Sequence, residues 1–241
     1  MTTDQIRYKK LFEFGKKLRS RYLLTLASRK LFDEFNKLSA IKIAGKKNAE
    51  NNVKIFNSYR YFFLTSKEAL RCYFLIELAK FFDEDKRRQS LSIQNTLHYA
   101  EEKLESFSTN EFHKYHGDRK ILPELFKNFT PLSNKDIDKL KNRLKKNKDT
   151  ILRLKTYRDT VLAHDDIKKK DILLSAKDIN VLLKIVKDTV DMFYQKLDFS
   201  VNSYKNYEDD PISEINNLLK ALKEHEVQRI SDINKKYGIK N

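Results

Sequence analysis

Four glycines and three prolines in 241 residues leave few places for the chain to turn. That scarcity argues for long helices and against the Gly/Pro-rich turns of an all-β protein. It also excludes a glycine-rich phosphate loop, since none can be formed well from so few. A single cysteine, Cys72, excludes an internal disulfide. It lies in the apolar run LRCYFLIELAKFF and is expected to be a buried, structural thiol of a reducing compartment. No apolar run approaches the roughly 20 residues of a membrane span. The opening MTTDQIRYKK has no signal-peptide h-region, so a cytoplasmic protein with no membrane partner is expected. Tryptophan is absent although aromatic residues make up 12% of the chain, so Phe and Tyr must fill much of the core. Disorder would call for fewer aromatics.

What the chain has in excess is positive charge. The formal net charge is +16, with 50 Lys and Arg against 34 Asp and Glu. Residues 1–30 carry nine bases against two acids, and residues 133–170 carry thirteen against six; residues 201–241 carry seven of each. Two segments thus hold most of the excess. Such segments attract polyanions, nucleic acid above all; they are equally what the solvated faces of lysine-rich helices look like.

Apolar spacing is helical almost throughout. Leu11, Phe14, Leu18, Tyr22, Leu26, Phe32 and Phe35 mark a helix from residue 4 to about 38. AGKKNAENN, residues 44–52, reads as a loop. A long helix from Val53 to Phe82 follows, with a stripe through Phe56, Phe63, Leu70, Phe74, Leu78 and Phe81. Phe62, Tyr73 and Ile76 add a second apolar side, which makes this helix central to a bundle. Ser90 or Ser92 caps a helix to about Glu105. Residues 106–130 show no clean period and read as a loop or insertion. Ser133 with Asp136, and Ser175 with Asp178, form capping-box starts for helices ending near Ala163 and Leu197. Asp210-Pro211 starts a last helix in a neutral, polar, loosely docked tail. The expected fold is all-α, a bundle of five to seven helices, with one domain over residues 1–200 and a helical tail over 201–241.

The helix ending in TYRDTVLAH puts a charge on its apolar side. At about 100° per residue, with Ile151 at zero, Leu140 falls at about −20°, Leu144 and Leu162 at about +20° and Leu154 at about −60°. Arg158 falls at about −20° by the same count, in the middle of the stripe. Arginine is almost never fully buried unless paired. Either Arg158 meets an acid in the core, for which Glu77 is the candidate, or the stripe opens there onto a cleft or another chain. His164 follows about 120° round and roughly 9 Å along the axis, so one straight helix would not aim both side chains at one phosphate. The two converge only if the helix ends near His164, or if a second copy meets the first across a twofold axis.

The helix end YRDTVLAHDD resembles the signature of the HEPN superfamily: an Arg, four to six residues, then a His, often with a polar residue directly after the Arg. The stretch EALRCYFLIELAKFFDED…SLSIQNTL is similar to the corresponding region of the abortive-infection branch. The resemblance covers roughly residues 55 to 198, leaving residues 1–43 and the tail outside it. It implies a HEPN-like helical fold and a metal-independent endoribonuclease of a defence or toxin system, cleaving RNA without a cofactor at the cleft of a homodimer. An antitoxin or another protein of the defence system is an implied partner. Arg158 would then stabilise the scissile phosphate, His164 would move the proton of the 2′-hydroxyl or of the leaving oxygen, and Asp159 would orient one of them. Lys155, Lys168, Lys169 and Lys170 would contact RNA. Where one HEPN subgroup has a tyrosine two residues after the His, this chain has Asp166, so regulation through that tyrosine is not expected. Asp165 and Asp166 also place negative charge beside the phosphate site. The alternative is an inactive helical module that binds RNA or a partner protein.

Other candidates are weaker. His113 and His116 have the spacing of metal ligands on one helix face, with Asp118 close by, but no third ligand is evident; a polar loop is the simpler reading and no metal is expected. His98 and His225 lie on ordinary helix surfaces. KRRQS, residues 86–90, reads as a solvated turn. Tyr8, Phe12 and Tyr22, interleaved with the bases of the first helix, either track a phosphate backbone or cover the bundle.

Overall fold

The computed structural model describes residues 1–84, 90–117, 126–162 and 172–238. Among these the secondary structure is helical without strands, in ten α-helices. They are α1 (Thr3–Leu38), α2 (Ile41–Ala44), α3 (Lys46–Ser58), α4 (Arg60–Lys80), α5 (Ile93–Glu102), α6 (Thr109–Tyr115), α7 (Asn134–Lys146), α8 (Lys148–Tyr157), α9 (Ala176–Leu197) and α10 (Lys205–Tyr237). The all-α expectation holds. The count exceeds five to seven because two expected helices are cut by local breaks and because α6 lies within residues 106–130, expected to be a loop. At Gly45 a φ of 78°, which favours glycine, joins α2 to α3. Tyr59 separates α3 from α4, and Asn147 separates α7 from α8. No helix among the described residues is long and apolar enough to cross a membrane.

The chain forms two compact units, Met1–Thr25 with Leu75–Ser203 and Leu26–Phe74 with Tyr204–Asn241. Residues 26–74 thus share a unit with the tail.

In the first unit the dominant helix is α9, which buries Ile179, Leu182, Leu183, Ile185, Val186, Val190 and Phe193. It starts on the expected capping box, with the Ser175 hydroxyl accepting from the Asp178 amide and the Asp178 carboxylate accepting from the Ser175 amide. α7 starts on the same device at Ser133 and Asp136, and α5 on Ser92, whose hydroxyl accepts from the Asn95 amide. Gly15 sits where α1 meets α9: a Cβ there would lie 3.3 Å from the Cβ of Phe193. Tyr8, Phe12 and Tyr22 are buried, so these rings of α1 cover the bundle rather than a phosphate backbone. Tyr8 donates its hydroxyl to the Leu197 carbonyl at 2.8 Å.

The second unit has a core of Phe35, Ile55, Phe63, Ile215 and Leu219, with Leu222 packed against it. This corrects two expectations. Residues 46–52 are helical, since Ala49, Asn52 and Ile55 form one buried face and the Asn52 side chain donates to the Leu38 carbonyl at 2.9 Å. The tail is docked, because Ile215, Leu219 and Leu222 recur at helical spacing, and its helix starts at Lys205, ahead of Pro211. Of the second apolar side expected for residues 53–82, Phe62 and Tyr73 are exposed and Ile76 is half-buried. Cys72 is half-exposed rather than buried, with Sγ 3.5 Å from the Glu68 carboxylate; partial burial, with that carboxylate beside it, pushes the thiol up.

Candidate active site

Arg158 stands at the end of α8. Its neighbours one and two turns back, Leu154 and Ile151, are buried, so the apolar line through Ile151 does reach it. The described residues that directly follow Tyr157 are not α-helical. Residues Arg158–Leu162 wind as a π-helix, a wider turn that is frequent at functional sites. Two threonines prepare it: the Thr156 hydroxyl donates to the Leu152 carbonyl at 2.9 Å and the Thr160 hydroxyl to the Thr156 carbonyl at 2.8 Å. Such back-bonding to the carbonyl four residues earlier loosens a helix.

The guanidinium is held by two carboxylates. Nη1 donates to both oxygens of Asp83, at 2.8 and 2.9 Å, and Nε donates to Asp159 at 2.7 Å. The Arg158 side chain is 21% exposed, Asp83 31% and Asp159 58%. The bond to Asp159, joined by those to Asp83, holds the guanidinium above its ordinary range, against burial acting the other way.

Glu77 is not the partner. It is engaged by Arg21, whose Nε donates to it at 3.1 Å, and by Lys80 at 2.7 Å. Arg21 is fixed there because Nη1 also donates to the Leu91 carbonyl at 2.7 Å and the guanidinium lies over the Phe81 ring, 4.7 Å from its centroid. Burial acts to raise the Glu77 carboxyl, but the bonds from Lys80 and Arg21 outweigh it and hold it below the usual carboxylate range. Asp83 is therefore the partner of Arg158 that sequence reasoning missed.

Arg158 and Asp159 are brought together, with Lys155 one turn upstream, half-buried and without an acid within salt-bridge distance among the described residues. His164, Lys168, Lys169 and Lys170 lie outside the described residues, as do Asp165, Asp166 and Asp118. The remaining histidines are placed elsewhere. His116 Nε2 lies 2.8 Å from the Leu197 carbonyl, the His113 ring packs on Phe126, His98 faces Glu102 and His225 lies 3.1 Å from the Tyr59 hydroxyl. His113 and His116 thus have other contacts, and no three potential metal ligands cluster among the described residues.

An arginine locked to carboxylates at a π-wound helix end, followed in sequence by His164, fits the HEPN pattern. A family model of that group, described as AbiU2, matches residues 10–225. The chain belongs to this family. The match takes in most of α1 and the first two-thirds of α10, well beyond residues 55–198. Comparisons with curated proteins and with solved structures matched nothing. Membership places the chain in the abortive-infection branch of the HEPN superfamily, a defence- or toxin-related module.

Proposed function

We propose that this AbiU2-family chain is a metal-independent endoribonuclease that cuts RNA at a cleft between two copies, with Arg158 and His164 as its working pair. The observation that carries the reading is the state of Arg158: a guanidinium at the start of a π-wound stretch, aimed by Asp83 while its second partner, Asp159, is largely exposed. Exposed ion pairs contribute about 0–1 kcal/mol. A phosphate can therefore displace Asp159 at small cost while Asp83 keeps the guanidinium oriented. In the reaction the 2′-oxygen attacks phosphorus and the bond to the 5′-oxygen breaks. The products are a 2′,3′-cyclic phosphate and a 5′-hydroxyl. His164 takes the proton of the 2′-hydroxyl or gives one to the leaving oxygen. Arg158 donates to the phosphoryl oxygens as charge builds on them.

The test is cleavage of mixed RNA and DNA oligonucleotides in the presence of chelator. Wild type should cut RNA and leave DNA intact, since DNA lacks the attacking hydroxyl. Arg158→Ala and His164→Ala should each lower the rate by about 10²-fold or more. Equal cleavage by all three proteins, or none by wild type on any RNA, would refute the reading. One observation favours a second reading. Among the described residues Arg158 is bonded to two carboxylates, Asp83 and Asp159, as suits a module that binds RNA or a partner through its basic helices and does not cut. Salt-sensitive RNA binding without cleavage is its signature.

A further inference from the structure

The first unit contains a concavity of about 310 Å³, within the size range of small-ligand sites. Asp83 is flanked in sequence by Phe82 and Glu84, and both line it. Ile151, also in the lining, precedes Arg158 by about 10 Å of helix at 1.5 Å per residue. The floor is apolar, built from Phe82, Ile93, Leu97 and Leu144 as well as Ile151. Its back wall is rigid: the Ile93 amide donates to the Phe81 carbonyl at 2.9 Å, and the Arg21 guanidinium covers the Phe81 ring.

The rim is charged, and its charges are arranged. Lys141, Lys145 and Lys148 line the side formed by α7 and the start of α8. Lys141 is paired with Glu101 at 2.5 Å. Lys145 and Lys148 are exposed and have no acid within salt-bridge distance among the described residues. Among the described residues the remaining polar lining is Glu84 and Gln94. An apolar floor, an amide, a carboxylate and two exposed ammonium groups are the contacts one nucleotide needs. The flat base is taken from water by the floor. A carboxylate accepts from an exocyclic amine, and a glutamine amide can bond the edge of adenine. The lysines face the phosphates. A fatty acid would leave Glu84 and Gln94 unused, and an acidic peptide would leave the floor unused.

We infer that this pocket is a base-binding subsite that takes one nucleobase bearing an exocyclic amine from the RNA strand, in preference to uracil, with the flanking phosphates on Lys145 and Lys148. The inference rests on the proposed RNA substrate, but binding tests it separately from cleavage.

The experiment is fluorescence anisotropy of the full chain with labelled single-stranded oligo(A), oligo(C), oligo(U) and an abasic ribose-phosphate strand of equal length, at several salt concentrations. Wild type should bind oligo(A) or oligo(C) about tenfold tighter than oligo(U), the scale of one good base contact, and more tightly still than the abasic strand. Leu144→Trp, which fills the pocket with apolar bulk, should erase that gap. Lys145→Gln/Lys148→Gln should flatten the plot of log affinity against log salt by about 1.4, at roughly 0.7 per lost phosphate contact on a single strand. Equal affinity of wild type for all four strands, or a gap that survives in Leu144→Trp, overturns the subsite. If Leu144→Trp fails to fold, the double lysine variant decides, and an unchanged salt slope overturns it. Base-selective binding without cleavage leaves the subsite standing and removes the nuclease; cleavage without base selectivity does the reverse.

Discussion

Removing Asp83 should loosen the one charge that the candidate site depends on. The two side chains keep 21% and 31% of their exposure, which places the pair between two known regimes. Exposed pairs contribute about 0.2–1 kcal/mol, whereas removing one partner of a fully buried pair costs about 3–5 kcal/mol. Asp83 accepts from a single nitrogen of Arg158, at 2.8 and 2.9 Å, and so lacks the two-nitrogen fork of the strongest arginine–carboxylate pairs. Asp159 remains to compensate part of the freed charge. Asp83→Ala should therefore cost about 1.5–2 kcal/mol, and Asp159→Ala, at 58% exposure, no more than about 0.5 kcal/mol. For a chain of this length the first corresponds to a melting-temperature drop of roughly 3–8 °C. Urea titrations of wild type, Asp83→Ala, Arg158→Ala and the double variant close a double-mutant cycle, with an expected coupling of about 1 kcal/mol. Coupling under about 0.3 kcal/mol, or an Asp83 effect no larger than that of Asp159, would refute the claim that Asp83 holds the guanidinium.

Further outcomes are open to measurement. Because the folded-state carboxyl of Glu77 sits below its ordinary range, its contribution is fully present above about pH 4.3 and is lost as pH falls through the folded value. The urea midpoint of Glu77→Gln should thus fall less steeply than that of wild type on acidification, and parallel curves would refute the assignment of Arg21 and Lys80 as its partners. Leu219→Ala should cost about 2–4 kcal/mol, because Leu219 is buried in the second core; a change under about 0.5 kcal/mol would mean a loosely held tail. Gly15→Ala sets a gain of about 1 kcal/mol in helix propensity against overpacking worth about 1–3 kcal/mol. With only 3.3 Å to Phe193, a net loss in a thermal melt is expected, and a rise in stability would show that α1 and α9 have room to spare.

Helix spacing and caps were legible before any coordinates, as Ser133 with Asp136 and Ser175 with Asp178 show. What escaped was decided by contacts far apart in sequence. NAENN is loop-like in composition, yet Asn52 belongs in a helix because its side chain reaches the Leu38 carbonyl at the end of α1. The break at Asn147 falls in the polar run KKNKD, where no apolar residue reveals the change of register. The tail reads as polar on average, while three apolar residues at the right spacing are enough to dock it. In the candidate site, stripe arithmetic brought Arg158 to the correct line of the helix but named the wrong acid. Glu77 and Asp83 are six residues apart in one segment. Only the position of Arg21, stacked on Phe81 and bonded to Leu91, shows that Glu77 is already engaged.

The direct partners of Arg158 and the charge of the whole chain differ in sign, and this separates two tasks. Among the described residues the Arg158 guanidinium is bonded to two carboxylates, so its own charge is largely compensated before RNA arrives. The +16 of the whole chain acts over longer range, but only to about 8 Å at physiological ionic strength. On the proposed function, capture of RNA belongs to the lysines of α7 and α8, and Arg158 acts only once a phosphate has been brought within bonding distance. Added salt should then weaken RNA binding steeply while leaving the cleavage rate of bound RNA nearly unchanged. Asp83→Asn should do the opposite, sparing binding, since a nearby negative charge is removed, and slowing cleavage, since the guanidinium loses its aim. Single-turnover rates at saturating protein separate the two quantities. If Asp83→Asn instead cut faster at saturation, Asp83 would be a competitor of the phosphate rather than the group that positions Arg158.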